Sequence, residues 1–406
     1  MSKVVGATSA AQLVLFEMED RSQSHLIALY DLVPRYVFVA RDGGKGSDAA
    51  PTKNTYVATV RRDFAFGGRE YSVTLHPARI ERAARAADVD GGPQADKPRV
   101  VDVEVYPGER EQIVETVVRR LAMDRSRLTL TGENRDKVQM RFSLYEIKRE
   151  LKAVGHALNT SDIREALTIL ARARIIISRG ADPTSRKGRG TNLLEATAFP
   201  VLAVRQRADA ADDDVDLDVE TYLEFNPLVS AAIRNLEFRP VSYEWLMALK
   251  SPVSRWLYNR LSVEFDQPVT DGVRSVTLSA DEIIKNSGMN EWSRKRDTLR
   301  VVTAAVDALV DQGILDSVEK DYTKVGKRIE GIDYTMVPSR RFLDQVRRAE
   351  RVAEVNAAAI KALTGSDAPP VGFVDIVPRQ AAEIRTKRNR RLAAVQESLP
   401  LLDTDV

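Results

Sequence analysis

The residues in this chain best placed to do chemistry are arginines and lysines, and the chemistry is phosphate contact and the reading of guanine. They gather in "SRGADPTSRKGRG" (178–190), "NEWSRKRDTLR" (290–300), "SRRFLDQVRRAER" (339–351) and "RQAAEIRTKRNRRL" (379–392), while "DAADDDVDLDVE" (209–220) is acidic. The formal net charge is only +2, so these patches are segregated and not part of a uniform excess. Patches of one sign are the footprint of contact with a polyanion. Solvated helix faces and loops are the other reading of any single patch.

Other chemistries find no residues to run them. The chain has no cysteine, and its three histidines (His25, His76, His156) stand apart, without metal-ligand spacing or the His-x-His of a rolling-circle nickase. "DGGKGSD" (42–48) lacks the spacing and context of a phosphate loop and reads as a linker. Carboxylate pairs on helix surfaces are too common to single one out. The expectation is a binding protein, not an enzyme, with no cofactor or metal.

The elements that must position the basic residues occur twice. "FSLYEIKREL" (142–151) and "LSADEIIKNS" (278–287) share one plan, each with a capping box, Ser143-x-x-Glu146 and Ser279-x-x-Glu282. A turn follows each, then a longer amphipathic helix. One buries Ile163, Ala166, Leu167 and Leu170; the other buries Val302, Ala305, Val306 and Leu309. Both run into β-prone segments, "RIIIS" and "GILDSV", then a Gly- and Lys/Arg-rich loop and a returning strand. Each copy is preceded by a further helix. "PGEREQIVETVVRRLAM" buries Ile113, Val114, Val117, Val118 and Leu121, and "SPVSRWLYNRLSVEF" buries Val253, Trp256, Leu257 and Leu261. The fold class is therefore α+β: two tandem winged-helix domains with an N-terminal strand-containing region. In a winged helix the third helix enters the major groove and the basic hairpin follows the backbone. A helical bundle with loops explains the helices, but not a basic hairpin in the same place twice.

Facing directions nominate DNA-contacting residues. In the second copy they are Arg294, Lys295, Arg296 and Arg300 on the helix and Lys324, Lys327 and Arg328 in the wing. Arginine's fork matches guanine O6 and N7; for Arg296 and Arg300 the alternative is salt bridging to Asp297 or Asp307. In the first copy the outward positions are Ser161, Arg164, Glu165 and Thr168, with Arg186, Lys187 and Arg189 in the wing. That helix face is less basic, which shifts the expected contact towards its loop.

With 406 residues and 43% hydrophobic content, there is room for several domains. The expected boundaries are a flexible segment (1–50), a small β-rich region (51–105), the first winged helix (106–208), an acidic linker (209–224), the second winged helix (225–350) and a basic, partly disordered tail (351–406). No apolar run reaches the ~18 residues of a membrane span, and no secretory signal opens the chain. A cytoplasmic protein without a membrane partner is expected. One stretch does not fit a flexible terminus. Gln12-Leu13-Val14-Leu15-Phe16 sets four large apolar residues behind a glutamine and ahead of an acidic run. It reads either as a strand of this protein's own core or as a hook for another protein.

In order along the chain, "QLVLF", "VEVYPGEREQIVETVVRRLA", "MRFSLYEIKRELKAVG", "SPVSRWLYNRL" and "VTLSADEIIKNSGM" resemble the TrfA-type plasmid replication initiators, within the wider class of twin winged-helix Rep proteins. The resemblance covers roughly residues 100–340 plus the pentapeptide, and the tail has no counterpart in it. It implies binding of double-stranded origin repeats (iterons) through both winged helices, help in melting an adjacent AT-rich element, and recruitment of the host replicative helicase and sliding clamp. It also implies a monomer active on DNA and an inactive homodimer. For Gln12, Leu13, Val14, Leu15 and Phe16 it implies clamp binding, with Leu15 and Phe16 as anchors, and contact with single-stranded origin DNA.

Overall fold

Each of the two amphipathic stripes closes a core of its own, and a third body of chain ties the cores together. The computed structural model describes residues 23–38, 58–67, 69–83, 100–123, 127–132, 136–179, 191–204, 221–235, 237–265, 275–290, 292–326 and 328–364. The chain begins with β1 (Gln23–Leu26) and α1 (Ala28–Leu32), then β2 (Val60–Phe66), β3 (Arg69–His76), β4 (Ala78–Ala83) and β5 (Val100–Val105). The first winged helix follows as α2 (Glu109–Leu121), β6 (Leu128–Thr131), β7 (Lys137–Phe142), α3 (Leu144–Ala153), α4 (Thr160–Arg172), β8 (Arg174–Arg179) and β9 (Thr191–Thr197). After β10 (Val201–Ala203), β11 (Thr221–Glu224), α5 (Pro227–Arg234), β12 (Arg239–Ser242) and α6 (Tyr243–Ala248) comes the second. It comprises α7 (Pro252–Glu264), β13 (Val276–Ser279), α8 (Ala280–Ser287), α9 (Lys295–Asp311), β14 (Leu315–Val325) and β15 (Arg328–Pro338), and α10 (Arg340–Thr364) closes the described chain.

Of the two capping boxes expected, the first forms in full and the second only in its serine half. Ser143 accepts the Glu146 N–H at 3.2 Å while Glu146 accepts the Ser143 N–H at 2.9 Å, completing a capping box. Ser279 likewise accepts the Glu282 N–H at 3.1 Å, and the Glu282 carboxylate sits 3.9 Å from Arg260. Such caps are each worth about 1 kcal/mol. Ile163, Ala166, Leu167 and Leu170 are buried in one core and Val302, Ala305, Val306 and Leu309 in the other. A fully buried aliphatic side chain contributes roughly 1.5–3 kcal/mol, so each stripe fixes the rotation of its helix.

The sheets differ in size. The second unit has three strands in the order β13-β15-β14. In the first, β8 pairs on one side with β9 and on the other with β3, giving the order β2-β3-β8-β9. The stretch expected as a small β-rich region thus supplies two strands to the first unit's own sheet. Its other pair, β4–β5, packs Ala78, Ile80 and Val103 against Ile169 and Ala173 at the end of α4.

Three expected boundaries need correction. Residues 23–38, placed in a flexible segment, are among the most buried in the molecule: Leu26, Ile27, Leu29, Tyr30, Leu32 and Val33 all pack in the cores. The end of the acidic linker is strand β11, paired with β7 and β10, and α5 buries Leu228, Val229, Ala232 and Ile233 in the first core. The first unit's packing therefore extends past 225. The helix at the other end runs on from the second domain to Thr364, across the expected start of the tail, with Phe342, Val346 and Ala349 buried. In each case apolar residues at helical or strand spacing found a neighbouring surface.

Candidate nucleic-acid interface

The second recognition helix, α9, offers the more open surface. Its apolar stripe lies on the sheet, which leaves Arg294, Arg296, Arg300 and Ala304 exposed along the opposite side. Arg294 occupies the N-cap, so three cationic side chains stand at the end of the helix where the dipole is positive and phosphate is favoured. The third, Lys295, is ion-paired with Asp281 on α8 and is the most tied of them. Arg300 lies 3.8 Å from Asp297 with its side chain 73% exposed. An exposed pair of this kind is worth under about 1 kcal/mol, so a bidentate guanine contact competes well with it. Asp307, the other suspected partner, instead accepts Lys320 of the wing at 2.7 Å.

The wing is a long ribbon. β14 and β15 pair from Leu315↔Pro338 out to Val325↔Arg328, and a two-residue turn closes at Gly326, whose φ of 63° suits glycine. The Thr303 and Tyr334 hydroxyls, 2.7 Å apart, join its base to α9. Its charges are graded. Glu319, Asp321 and Glu330 lie on the strands, whereas Lys324 and Arg328 are exposed at the tip. Lys327 lies outside the described residues. Only the tip is suited to approach phosphate.

The corresponding surface of the first unit is partly covered. Ser161 is exposed, but Arg164 is half-buried, its Nε enclosed without a hydrogen-bond partner. Thr168 turns its hydroxyl back to the Arg164 carbonyl at 2.8 Å. Glu165 accepts Arg110 at 2.8 Å, and at the helix end Arg172 donates to the Arg79 carbonyl of β4 at 3.0 Å. The structure thus places Ser161, Arg164 and Thr168 along one side of α4, with Arg110 of α2 bound to the adjacent Glu165 and the β4–β5 hairpin packed at the helix's C-terminal end. Arg186, Lys187 and Arg189 lie outside the described residues, as does the pentapeptide Gln12-Leu13-Val14-Leu15-Phe16.

What holds the two recognition helices in a fixed relation escaped the sequence reading. Between the units lies a buried charge cluster. Arg35 meets Glu115 at 2.5 Å and Asp31 at 3.3 Å, Arg119 forks onto both Asp31 oxygens, and the Tyr36 hydroxyl donates to Glu115 at 2.6 Å. Burial opposes ionisation of Glu115, but Arg35 and Arg119 outweigh it and hold the carboxyl below the usual range. From the second unit Arg255, 1% exposed, donates to Gln112 at 3.0 Å and to Glu109 at 3.2 Å. Trp256 donates to the Leu32 carbonyl at 3.2 Å. Arg62 of β2 bonds the Pro34 and Tyr36 carbonyls and Asn290, and burial pulls its guanidinium down to about 10. Gly288 packs so closely here that a Cβ would stand 2.6 Å from Arg62 and 2.7 Å from Pro34. Among the described residues no cluster of side chains could hold a metal ion, and no helix is long and apolar enough to cross a membrane.

Compared by sequence, the chain matches no family model and no curated protein. By structure it is similar to domains 2 and 3 of RctB, with a TM-score of 0.41 and 7% identity over 71% of this chain and 94% of that one. A second crystal structure of RctB domains 2–3 gives a TM-score of 0.35 and 8% identity, over 73% and 96% of the two chains. The Pi initiator protein, crystallised in complex with iteron DNA, gives 0.35 and 14% identity, over 57% and 91%. The twin winged-helix architecture itself stands on this chain's own element order and strand register.

Proposed function

We propose that this protein binds duplex DNA through both winged helices and acts as a replication initiator at an origin carrying direct repeats. The observation that carries the DNA-binding half is the Arg296–Arg300 face of α9, open along its N-terminal half and flanked by a wing whose basic residues sit at its tip. Recognition helices meet base edges with their N-terminal residues, and arginine is the commonest reader of guanine. The order of motifs shared with TrfA-type initiators supports the initiator half.

On this reading Arg294, Arg296 and Arg300 read or clamp the major groove and Lys324 and Arg328 hold the adjacent backbone. The first unit sets orientation through Arg186, Lys187 and Arg189. The monomer is the form that engages the repeats, and a homodimer is inactive. Opening of an adjacent AT-rich element, recruitment of the replicative helicase, and use of the pentapeptide on the sliding clamp and on single-stranded origin DNA complete the cytoplasmic role. No catalytic step is assigned to the chain.

Footprinting of the purified protein on the DNA upstream of its own gene tests the proposal. Protection should fall on direct repeats spaced by about two helical turns, with the two units covering adjacent turns of one face. Protection of a single promoter element without repeats would replace initiation by transcriptional regulation, and absence of any protection would overturn the DNA-binding half.

A further inference from the structure

The described chain begins at Gln23, and Gln23 lines a cavity of about 200 Å³ between β1, β12, α6 and α10. Ser242, Trp245, Gln345 and two arginines, Arg341 and Arg348, form most of the rest of its wall. A water molecule takes up roughly 30 Å³, so the space suits a side chain or two and not a single solvent molecule. Neither the recognition helices nor the second wing lines it.

Strand pairing ends at this cavity. Gln23↔Ser242 is the last pair of β1 with β12, and Ser242 then caps α6 by accepting the Trp245 N–H at 3.3 Å. β12 therefore offers the chain before Gln23 no further backbone partner. The wall is charged. Arg341 and Arg348 lie seven residues apart on α10, about two turns along the same side. The Arg341 guanidinium stands 4.9 Å from the Trp245 ring centre. Arg347 pairs with Asp344 at 3.3 Å, but neither cavity arginine has an ion-pair partner among the described residues. Glu244 adds one carboxylate, so the wall carries two positive groups and one negative. Glu17-Met18-Glu19-Asp20-Arg21 carries three negative groups and one positive. Asp20 is three residues from Gln23 and Glu17 is six, a reach of up to ~10 and ~20 Å of extended chain.

We infer that this cavity is the seat of the chain's own acidic segment, with Glu17, Glu19 and Asp20 on Arg341 and Arg348 and Arg21 beside Glu244. The charges match in both signs, and the tether at Gln23 keeps the segment at the cavity mouth. The other acidic stretch, 209–220, is anchored elsewhere: it joins β10 to β11, and neither strand lines the cavity. Such a seat acts on the pentapeptide. Gln12–Phe16 directly precedes Glu17, so it is held beside the second unit, and a partner that draws it away must break these ion pairs. Partly exposed pairs are weak singly and screened by salt, which suits a latch that opens. The inference goes beyond DNA binding and holds whatever the pentapeptide binds.

The test uses the full chain without DNA, so its failure is separate from any failure of the duplex-binding reading. The chain has no cysteine, and Met18→Cys therefore supplies a single thiol for a spin label in the middle of the acidic segment. The label should be largely immobile at low salt and released at about 1 M salt, where the Debye length falls to about 3 Å. Arg341→Glu with Arg348→Glu should cut the ratio of immobile to mobile label by about tenfold, as several modest ion pairs are lost together. Glu17→Arg with Glu19→Arg on that background should restore it. Both arginines are exposed, and an unchanged melting temperature verifies the fold. A label already mobile in the otherwise wild-type chain at low salt overturns the inference. So does an immobile label that ignores the arginine reversal, as a strand of the core would give. If a label at Val215→Cys is the one that the reversal releases, the cavity belongs to the stretch 209–220 and the inference falls.

Discussion

The helices Thr160–Arg172 and Lys295–Asp311 hold the same place in their two units, yet they present opposite surfaces to a ligand. On their inner sides they bury the same kinds of residue at the same spacing: Ile163, Ala166, Leu167 and Leu170 against Val302, Ala305, Val306 and Leu309. On their outer sides the first shows Ser161, a half-enclosed Arg164 and a Glu165 held by Arg110, and the second shows Arg294, Arg296 and Arg300 in the open. Packing constrains the inner pattern, because a change of one methylene there is felt throughout the core. The outer positions carry less of that constraint, so the two helices can differ there. On the proposed DNA-binding reading, a duplicated frame keeps its core while dividing labour between a reading unit and a positioning unit.

The division holds only while the frame fixes one helix relative to the other, and the severest way to break it is at the seam. Asp31→Ala leaves Arg119 and Arg35 buried without a shared carboxylate, and removal of one partner from a buried ionic cluster costs about 3–5 kcal/mol. Urea unfolding should show a midpoint lowered accordingly; a midpoint within error of wild type would make the cluster ornamental. The cluster also fixes a pH dependence. Glu115 has a folded pKa below its unfolded value, so its contribution is complete above the unfolded value of about 4.3 and is lost as pH falls through the lower folded value. Glu115→Gln should flatten the acid limb of the stability curve.

Next in size is the contrast between the faces themselves. Arg296→Ala and Arg300→Ala should each cost about 1–3 kcal/mol of specific binding and relax preference at one base pair. Ser161→Ala and Thr168→Ala should change affinity far less, since one side chain is short and the other is satisfied by its own helix. Competition assays with specific and random duplexes measure both. Equal losses from the two helices would end the division of labour.

Local periodicity carried much of this into the sequence. The stripes, the two serine caps and the order of elements are all patterns within a dozen residues, and the structure keeps them. The seam was hidden for the opposite reason. Asp31, Arg35, Glu115 and Arg119 read as ordinary surface charges, because their pairing spans some eighty residues and depends on a segment that carried no regular period. The pairing of β3 with β8 is equally non-local. Arg164 reads as outward on its helix, yet its Nε is enclosed, and the contacts around that helix, Arg110 on Glu165 and β4 on Arg172, are non-local pairings that no helical wheel contains. The register slip in the second wing, from Thr323↔Gly331 to Lys324↔Ile329, was illegible because alternation along β15 places Glu330, not Ile329, opposite Lys324.

The smallest effect on either winged helix should come from a change outside both. Leu15 and Phe16 lie before the first described residue, Gln23, in a pentapeptide whose alternatives are a strand of this protein's core or a hook for the sliding clamp. A clamp pocket is apolar, and each anchor removed from it costs on the order of 2 kcal/mol. Leu15→Ala with Phe16→Ala should therefore abolish retention of the clamp on immobilised protein. Thermal stability, duplex affinity and the contrast between Arg296 and Ser161 should stay as they were, because on the hook reading these residues belong to no core of this protein. The strand alternative reverses every sign. Loss of two core side chains would lower the melting temperature and weaken duplex binding through the frame, while the clamp would still be captured. One double variant, measured for melting, duplex affinity and clamp retention, separates them, and a destabilised protein that keeps the clamp would return the pentapeptide to the core.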